Sequence, residues 1–398
     1  MRVLKAIAKL SRFGIVLLLV EFLDELVYGA REAAWPLIRG DLGLSYGQIG
    51  LLLGLPGLIG SLIEPLVGIL GDVWKRRALV MGGGLLYAAA AFGVAAGDRF
   101  WTLLVFFVIL SPASGSFVSL SQAALMDEKP ERREQNMARW TFAGSLGVVA
   151  GPLALGAAVW AGLGWRGLFT VFGVLAISLV LLAGRFSFPL PDRSAGQRAG
   201  KAGFRSGVKN AWAALRRKEV LRWLVLLECS DFLLDILLGF LALYFVDVVG
   251  VTPAQAGLAV AVWSGLGLLG DFLLIPLLER VRGLSYLRIS VLIELLLYPA
   301  FLLVPGYEAK LLLAGLLGFF NAGWYSVLKG RLYSSMPGQS GTVMAVNNVV
   351  GAAASLLPVG LGLIGQRWGL TAVMWSLLVG PVVLGIGIPG KMRLRRRS

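Results

Sequence analysis

The feature that most constrains this chain is an internal repeat, in which residues 14–76 recur at residues 221–283 without a gap. The repeat pairs Glu21 with Glu228, Asp24 with Asp231, Gly43 with Gly250, Gln48 with Gln255, Glu64 with Asp271, and Asp72 with Glu279. Both copies are apolar enough to lie in lipid. Two similar halves that face the same way in a membrane, with acids at equivalent depths, indicate an alternating-access transporter.

Apolar runs of about 20 residues, the length that spans a bilayer, recur along the chain. They predict spans near 14–37, 47–71, 78–97, 101–126, 138–162, 166–186, 220–246, 254–278, 286–305, 310–330, 341–365 and 370–389. Hydrophobic residues make up 57% of the 398 residues, which is more than a soluble domain needs. The sequence therefore predicts an all-α membrane protein with twelve transmembrane helices in two pseudo-symmetric six-helix bundles.

A polar stretch divides the chain into the predicted units. We expect an N-terminal six-helix bundle at 1–186, a cytoplasmic linker at 187–218, and a C-terminal bundle with a basic tail at 219–398. The linker begins rich in Pro, Gly and Ser, and Val208, Trp212 and Leu215 then follow at helical spacing. That spacing suits a short helix on the inner leaflet, and a plain linker is the alternative.

The net charge of +15 is distributed by side of the membrane. Most of the 37 Lys and Arg residues fall at the termini and in the loops on the same side, which is the positive-inside pattern. We therefore place both termini in the cytoplasm and the chain in the cell (inner) membrane, as a monomer. The positive charge sets topology and meets anionic lipid, and no nucleic-acid partner is expected.

The sequence offers few means of binding a cofactor. It has one cysteine, Cys229, and no histidine, so a disulfide framework and a His-ligated metal site are excluded. No nucleotide-binding loop is present, so we predict no cofactor, no ATP drive and no enzymatic activity. Any proton carrier must be a carboxylate.

The first predicted span carries a stripe of acids. Glu21, Asp24, Glu25, Tyr28 and Glu32 lie on one helical face, and the seventh span repeats the pattern with Glu228, Asp231 and Asp235. Ionisable groups inside a bilayer normally face a cavity or a partner. We predict Glu21, Asp24, Glu25, Glu228, Asp231 and Asp235 as proton- or cation-coupling groups. Structural ion pairing is the alternative, although Arg31 can neutralise only Glu32.

The loop after the second span places an acid before a cluster of bases. Gly68, Asp72, Arg76 and Arg77 resemble the loop signature of the major facilitator superfamily, Gly-x-x-x-Asp-x-x-Gly-Arg-Lys/Arg, with Lys75 where the family usually has glycine. Pairs between these bases and acids such as Asp127 would form a latch that breaks when the cytoplasmic mouth opens. The second copy keeps a degraded version, Glu279 and Arg282. The alternative is a loop that only sets topology.

The fifth span adds to the resemblance. Its sequence Gly147-x-x-x-Gly151-Pro152 is similar to the Gly-Pro signature of the antiporter (exporter) branches, and generic close packing of helices is the alternative. Spans one and two look like the drug and fosmidomycin-resistance type exporters. The arginine that many drug–proton antiporters carry in span four is absent, and Ser111 and Ser114 stand near its place.

The resemblance implies that spans one, four, seven and ten line a substrate cavity. The residues expected there are Tyr28, Glu64, Ser111, Ser114, Asp271, Asn321 and Tyr325. A cavity rich in carboxylates favours cationic or zwitterionic small molecules, so proton-coupled efflux is the predicted function. A divalent-metal exporter, a proton-coupled uptake symporter, and a non-transporting receptor or assembly factor on the same fold remain alternatives.

Overall fold

The computed structural model describes residues 11–73, 76–128, 133–188, 215–336 and 340–389. The first six helices are α1 (Arg12–Leu42), α2 (Tyr46–Val73), α3 (Arg76–Ala96), α4 (Phe100–Glu128), α5 (Arg133–Trp160) and α6 (Gly164–Ala183). The next six are α7 (Lys218–Val249), α8 (Pro253–Arg280), α9 (Gly283–Leu303), α10 (Tyr307–Ser335), α11 (Ser340–Ala354 and Leu357–Trp368) and α12 (Leu370–Gly387). The prediction of two six-helix bundles is confirmed.

Eleven helical stretches in the described ranges are long and apolar enough to cross a membrane. The twelfth long helix, α1, has 31 residues and packs along α5 and α6. It is not counted among these eleven because Glu21, Asp24 and Glu25 lie near its middle and make it too charged. The acids that make α1 an unusual membrane helix are thus the same ones that the sequence singled out.

The internal repeat specifies two equivalent turns. We call the side where α1 begins and α12 ends the terminal face, and the opposite side the far face. At the far face, α1 ends at Gly43 with φ 61° and α7 ends at Gly250 with φ 79°. Such left-handed positions favour glycine. The helices that follow start with equivalent caps, in which the Gln48 side chain accepts from the Ser45 backbone N–H, and Gln255 from that of Thr252.

Helix α5 lies unusually close to α1. A methyl group on Gly151 would stand 2.3 Å from the backbone nitrogen of Ala30, and one on Gly147 would stand 2.6 Å from the carbonyl oxygen of Phe22. Small residues allow backbones to approach in this way. Pro152, which follows, lies on the side of α5 near Gly257 of α8. This helix therefore stands between the acid-bearing helix of its own bundle and the other bundle.

Three helices around the centre are irregular. Helix α4 has a π-helical segment at Gly115–Ser119, and α7 has one at Phe232–Ile236. Helix α10 is interrupted at residues 321–323, where Gly323 adopts φ 73°. Local π-helical and broken turns change which side chains face the centre and are frequent at functional sites.

The two bundles meet mainly in the halves of their helices nearest the far face. The clearest seam joins α2 to the second part of α11. A methyl group on Gly50 would lie 2.4 Å from the carbonyl oxygen of Pro358 and 3.0 Å from the Cα of Gly362. This seam closes the molecule toward the far face. Most of the predicted linker and its surface helix, and the basic tail, lie outside the described residues.

Candidate functional site: a central cavity between the bundles

A cavity of about 700 Å³ lies between the two bundles, beside a second space of about 380 Å³. Both are lined by residues of both halves of the chain. The predicted residues that border one or both are Asp24, Glu25, Tyr28, Glu64, Ser111, Ser114, Glu228, Asp231, Asp235 and Tyr325. Helices far apart in sequence thus bring most of the predicted acids to one place.

The acids of α1 enter the larger space beside α4. The Ser114 hydroxyl donates a hydrogen bond of 3.0 Å to Oδ2 of Asp24. Ser114 precedes the π-helical segment of α4, and Glu64 of α2 packs against Gly115 at that segment. Helices α1, α2 and α4 therefore hold Asp24 and Glu64 at the same wall, with Glu25 one residue further along α1.

One arginine lies at the boundary of the two spaces. Arg31 pairs with Glu32 at 2.5 Å, and Trp35 Nε1 donates to the other oxygen of Glu32 at 2.8 Å. The guanidinium carbon of Arg31 stands 5.1 Å from the centre of the Tyr28 ring, a cation–π contact. Arg31 is therefore already engaged by Glu32 and Tyr28, and most of the cavity carboxylates form no ion pair with a base of the described ranges.

The acids of α7 face the same cavity from the other bundle. Asp231 and Asp235 border both spaces, and Glu228 borders the smaller one. The Tyr28 hydroxyl donates a hydrogen bond of 3.4 Å to Oδ1 of Asp235. On α10, Lys329 donates to the hydroxyl of Tyr325, which is 42% exposed and borders both spaces. Carboxylates outnumber bases in this part of the structure.

Three predicted residues lie elsewhere. Glu21 is 8% exposed and packs against Gly144 of α5. Asp271 accepts a 2.8 Å hydrogen bond from the backbone N–H of Gly323, at the interruption of α10. Asn321 is 2% exposed and donates to the carbonyl oxygen of Leu233 at 2.8 Å. None of the three borders either of these two spaces, and the roles predicted for them stay predictions. Asp271 and Asn321 each satisfy a backbone group at an irregular part of a helix.

The structure describes the side chains of some of the predicted gating residues. Arg76 is 4% exposed and pairs with Asp127 at 2.7 Å, which ties α3 to α4 within one bundle. Because both residues belong to the N-terminal bundle, the pair does not bridge the bundles directly. Glu279 and Arg282 are exposed and form no ion pair with a residue of the described ranges. The side chain of Asp72 lies outside the described residues, and its gating role stays a prediction.

A contact between the bundles at the far face escaped sequence reasoning. Arg39 of α1 pairs with Asp247 of α7 at 2.8 Å, and the Tyr46 hydroxyl of α2 donates to the same carboxylate oxygen at 2.8 Å. The Arg39 guanidinium stands 4.4 Å from the Tyr46 ring centre. A signal existed, since Arg39 and Asp247 each lie in the last turn before the repeated glycines, Gly43 and Gly250.

The acids are not arranged as a metal site. Within the described ranges, no three His, Cys, Asp or Glu side chains are grouped closely enough to hold a metal ion. The cavity carboxylates are spread over α1, α2 and α7. This arrangement suits a larger ligand that contacts several walls.

Comparison with known proteins gives consistent matches. The model of the Major Facilitator Superfamily matches residues 17–359. The multidrug export protein EmrB of Haemophilus influenzae is 25% identical over 170 residues, 42% of this chain and 33% of that protein. A probable sugar efflux transporter of Helicobacter acinonychis is 26% identical over 192 residues, 47% of this chain and 49% of that one. The chain thus spans a third to a half of these two relatives.

A third relative is matched over most of its length. The transcription regulatory protein OpdE of Pseudomonas aeruginosa is 25% identical over 349 residues, 85% of this chain and 83% of that protein. Among solved structures, a bacterial homolog of the human lysosomal transporter Spinster, inward-facing and unoccupied, superposes with a TM-score of 0.75 at 18% identity, covering 94% of this chain and 95% of that one. The nucleoside transporter NupG superposes with a TM-score of 0.75 at 13% identity, covering 95% of this chain and 98% of that one. At such identities these structures show the shared fold alone.

Two six-helix bundles around a central cavity define a multi-pass membrane protein. The match over residues 17–359 makes the assignment more specific. The chain belongs to the Major Facilitator Superfamily, as its loop and span-five motifs predicted.

Proposed function

We propose that this protein exports cationic or zwitterionic small molecules from the cytoplasm in exchange for protons. The observation that carries the proposal is the set of carboxylates from α1, α2 and α7 around one cavity, in which Arg31 is already engaged. An ionised carboxylate is costly to enclose without a partner, so such a group takes up either a cation or a proton. Competition between the two is the physical basis of exchange.

The proposed cycle follows from the positions of the seal and the cavity. With the far face closed, a cationic substrate enters from the terminal face, which we take as cytoplasmic. It binds beside ionised Asp24 and Asp231, and the bundles then rock so that the far-face seam opens. Protons from outside neutralise the carboxylates and weaken their hold on the substrate. The protonated protein returns to the first state and releases its protons to the cytoplasm.

The proposed direction of transport is supported by the names of relatives as well as by the position of the seam at the far face. Two of the relatives are named for export or efflux, and the span-five glycines resemble the exporter branches. The inner-membrane location and the cytoplasmic termini rest on the distribution of Lys and Arg. A divalent-metal substrate has less support, since the described acids form no metal-binding group.

Flux in proteoliposomes tests the proposal. Purified protein is reconstituted, and uptake or release of tetraphenylphosphonium and a panel of cationic and anionic compounds is followed with and without a pH gradient. We expect the gradient to drive cations and leave anions unmoved. Asp24→Asn should abolish gradient-driven flux and keep thermal stability near normal, because a neutral amide is less costly to bury than an ion.

A matched control is available in the same chain. Glu308 is an exposed acid at the start of α10, outside the cavity, so Glu308→Gln should transport like the wild type. Wild-type dependence on the gradient in both Asp24→Asn and Asp231→Asn, and in their combination, would make the acids structural and remove proton coupling from the proposal.

A second candidate is a membrane receptor that does not transport. The match to a protein named as a transcription regulator covers 85% of this chain, so this candidate has a specific observation in its favour. Flux separates the two. A receptor binds its ligand with no net movement under any gradient, whereas a transporter accumulates it.

A further inference from the structure

The central cavity is divided into two chambers, which a single small cation does not require. The larger chamber lies against α2 and α4, and its own carboxylates are Asp24, Glu25 and Glu64. The smaller chamber lies against α7 and α11, and its own carboxylates are Glu32 and Glu228. Tyr28, Asp231 and Asp235 border both. Because Glu32 is paired with Arg31, Glu228 is the carboxylate that the smaller chamber offers to a cation apart from the shared Asp231 and Asp235.

The partition between the chambers includes the Tyr28 side chain, which borders both and is bonded to Asp235 and covered by Arg31. Leu53 of α2 borders both chambers and gives the passage an apolar side. A slender aliphatic linker can lie against Leu53 while charged groups at its two ends reach different chambers.

Each chamber also has a polar group that the protein leaves unsatisfied. Trp263 of α8 is 8% exposed and borders the larger chamber, and its Nε1 has no hydrogen-bond partner in the described structure. Asn347 of α11 borders the smaller chamber, and its Oδ1 is likewise without a partner there. Buried polar groups are costly unless bonded, so both point to ligand atoms. The indole N–H requires an acceptor, and the amide oxygen suits an ammonium donor.

We propose that the substrate is an elongated dication. One cationic nitrogen is held by the carboxylates of the larger chamber and the other by Glu228 and Asn347 in the smaller chamber. An apolar linker passes Leu53 and carries a neutral hydrogen-bond acceptor, an ether or carbonyl oxygen, for Trp263. This inference rests on the proposed cation export and defines its substrate class.

Binding of matched amines to the full-length protein tests it. The probes are diaminooctane, its dioxa analogue of equal length, and octylamine, which has a single charge. We expect the diamine to bind about tenfold or more tightly than octylamine, the effect of one further charge-assisted contact, and the dioxa analogue to bind more tightly still. Calorimetry in nanodiscs gives the dissociation constants.

Variants of the two chambers sharpen the test. Glu228→Gln should bring the diamine close to octylamine, and Glu64→Gln should reduce the diamine preference in part, because Asp24 and Glu25 remain in the larger chamber. Each variant should leave octylamine within about twofold because the other chamber stays available. Trp263→Phe should remove the preference for the dioxa analogue and keep that for two charges. Glu308→Gln serves as the control and should match the wild type in all three measurements.

The outcomes separate this inference from the function on which it rests. Equal binding of diamine and octylamine, together with gradient-driven flux of tetraphenylphosphonium, would overturn the dication and leave cation export standing. A diamine preference unaffected by Glu64→Gln and Glu228→Gln would overturn the two-chamber assignment. Absence of any amine binding and of any gradient-driven flux would remove both proposals.

Discussion

Tyr28 and Asp235 touch across the boundary between the bundles, and they occupy equivalent positions of the internal repeat. The Tyr28 hydroxyl donates to Asp235 at 3.4 Å, and the two residues are separated by the repeat offset of 207. Equivalent positions of two halves related by a pseudo-two-fold axis can meet only close to that axis. This pair therefore marks where α1 and α7 pass the axis, at the partition of the cavity.

Replacing this contact tests its part in the cycle. Tyr28→Phe removes one hydrogen bond between the bundles, worth about 1 kcal/mol, and keeps the ring that Arg31 covers. We expect unchanged expression and a several-fold shift of the population away from the state closed at the far face. Distances between spin labels on α2 and α11 at the far face measure the shift. Tyr307→Phe, which loses a hydroxyl bond within the C-terminal bundle, should leave those distances unchanged.

The ion pair at the far face should behave as a gate. Arg39→Asp places two acids beside each other at Asp247 and should favour opening toward the far face, whereas Arg39→Asp combined with Asp247→Arg should restore closure in part. Exposed pairs contribute about 0.2–1 kcal/mol, and the contact with Tyr46 adds to this one. Accessibility of cysteines introduced at the seam reports the state. Equal accessibility in the single and the double variant would contradict a gate.

The two halves need not share the coupling equally. Asp24 accepts a hydrogen bond from Ser114, whereas Asp231 borders both chambers. If the halves share the load, Asp231→Asn should abolish gradient-driven flux as Asp24→Asn does. If they do not, it should raise the substrate KM and keep the dependence on pH. Flux against external pH at several substrate concentrations distinguishes the two results.

The contact between α5 and α1 makes a prediction about stability. Gly151→Ala forces a methyl group to within 2.3 Å of the Ala30 backbone and should lower the free energy of unfolding by about 1–3 kcal/mol. Gly156→Ala in the same helix meets nothing within 4 Å and should be neutral or slightly stabilising. Melting temperatures of the two purified variants give the comparison. Equal melting temperatures would show that α5 can move away from α1 without loss of stability.

Features fixed by local chemistry could be predicted from the sequence. The twelve helices follow from apolar runs, and the turns at Gly43 and Gly250 follow from glycine before a capping residue. Most of the acids that the sequence singled out on α1 and α7 reach one cavity because helical spacing puts them on one face. Each of these depends on residues near one another in the chain.

Tertiary packing decided what the sequence could not predict. Glu64 and Asp271 are equivalent in the repeat, yet Glu64 packs against Gly115 at the cavity and Asp271 bonds the backbone of Gly323. The difference comes from the interruption of α10, which leaves an amide donor that α4 does not present in the same way. The repeat places Arg39 and Asp247 in the last turns before equivalent glycines, but their pairing depends on how the bundles meet at the far face.

The seam between Gly50 and Gly362 is a contact of backbone with backbone, and this has a consequence for speed. Side chains that interlock must be immobilised each time two surfaces close, and each loses rotamer freedom on doing so. Glycines have no rotamers to lose, so this seam can open and close without that loss of side-chain entropy. We expect its closure to be limited by the motion of whole bundles, which occurs in microseconds to milliseconds, and not by local rearrangement at the seam.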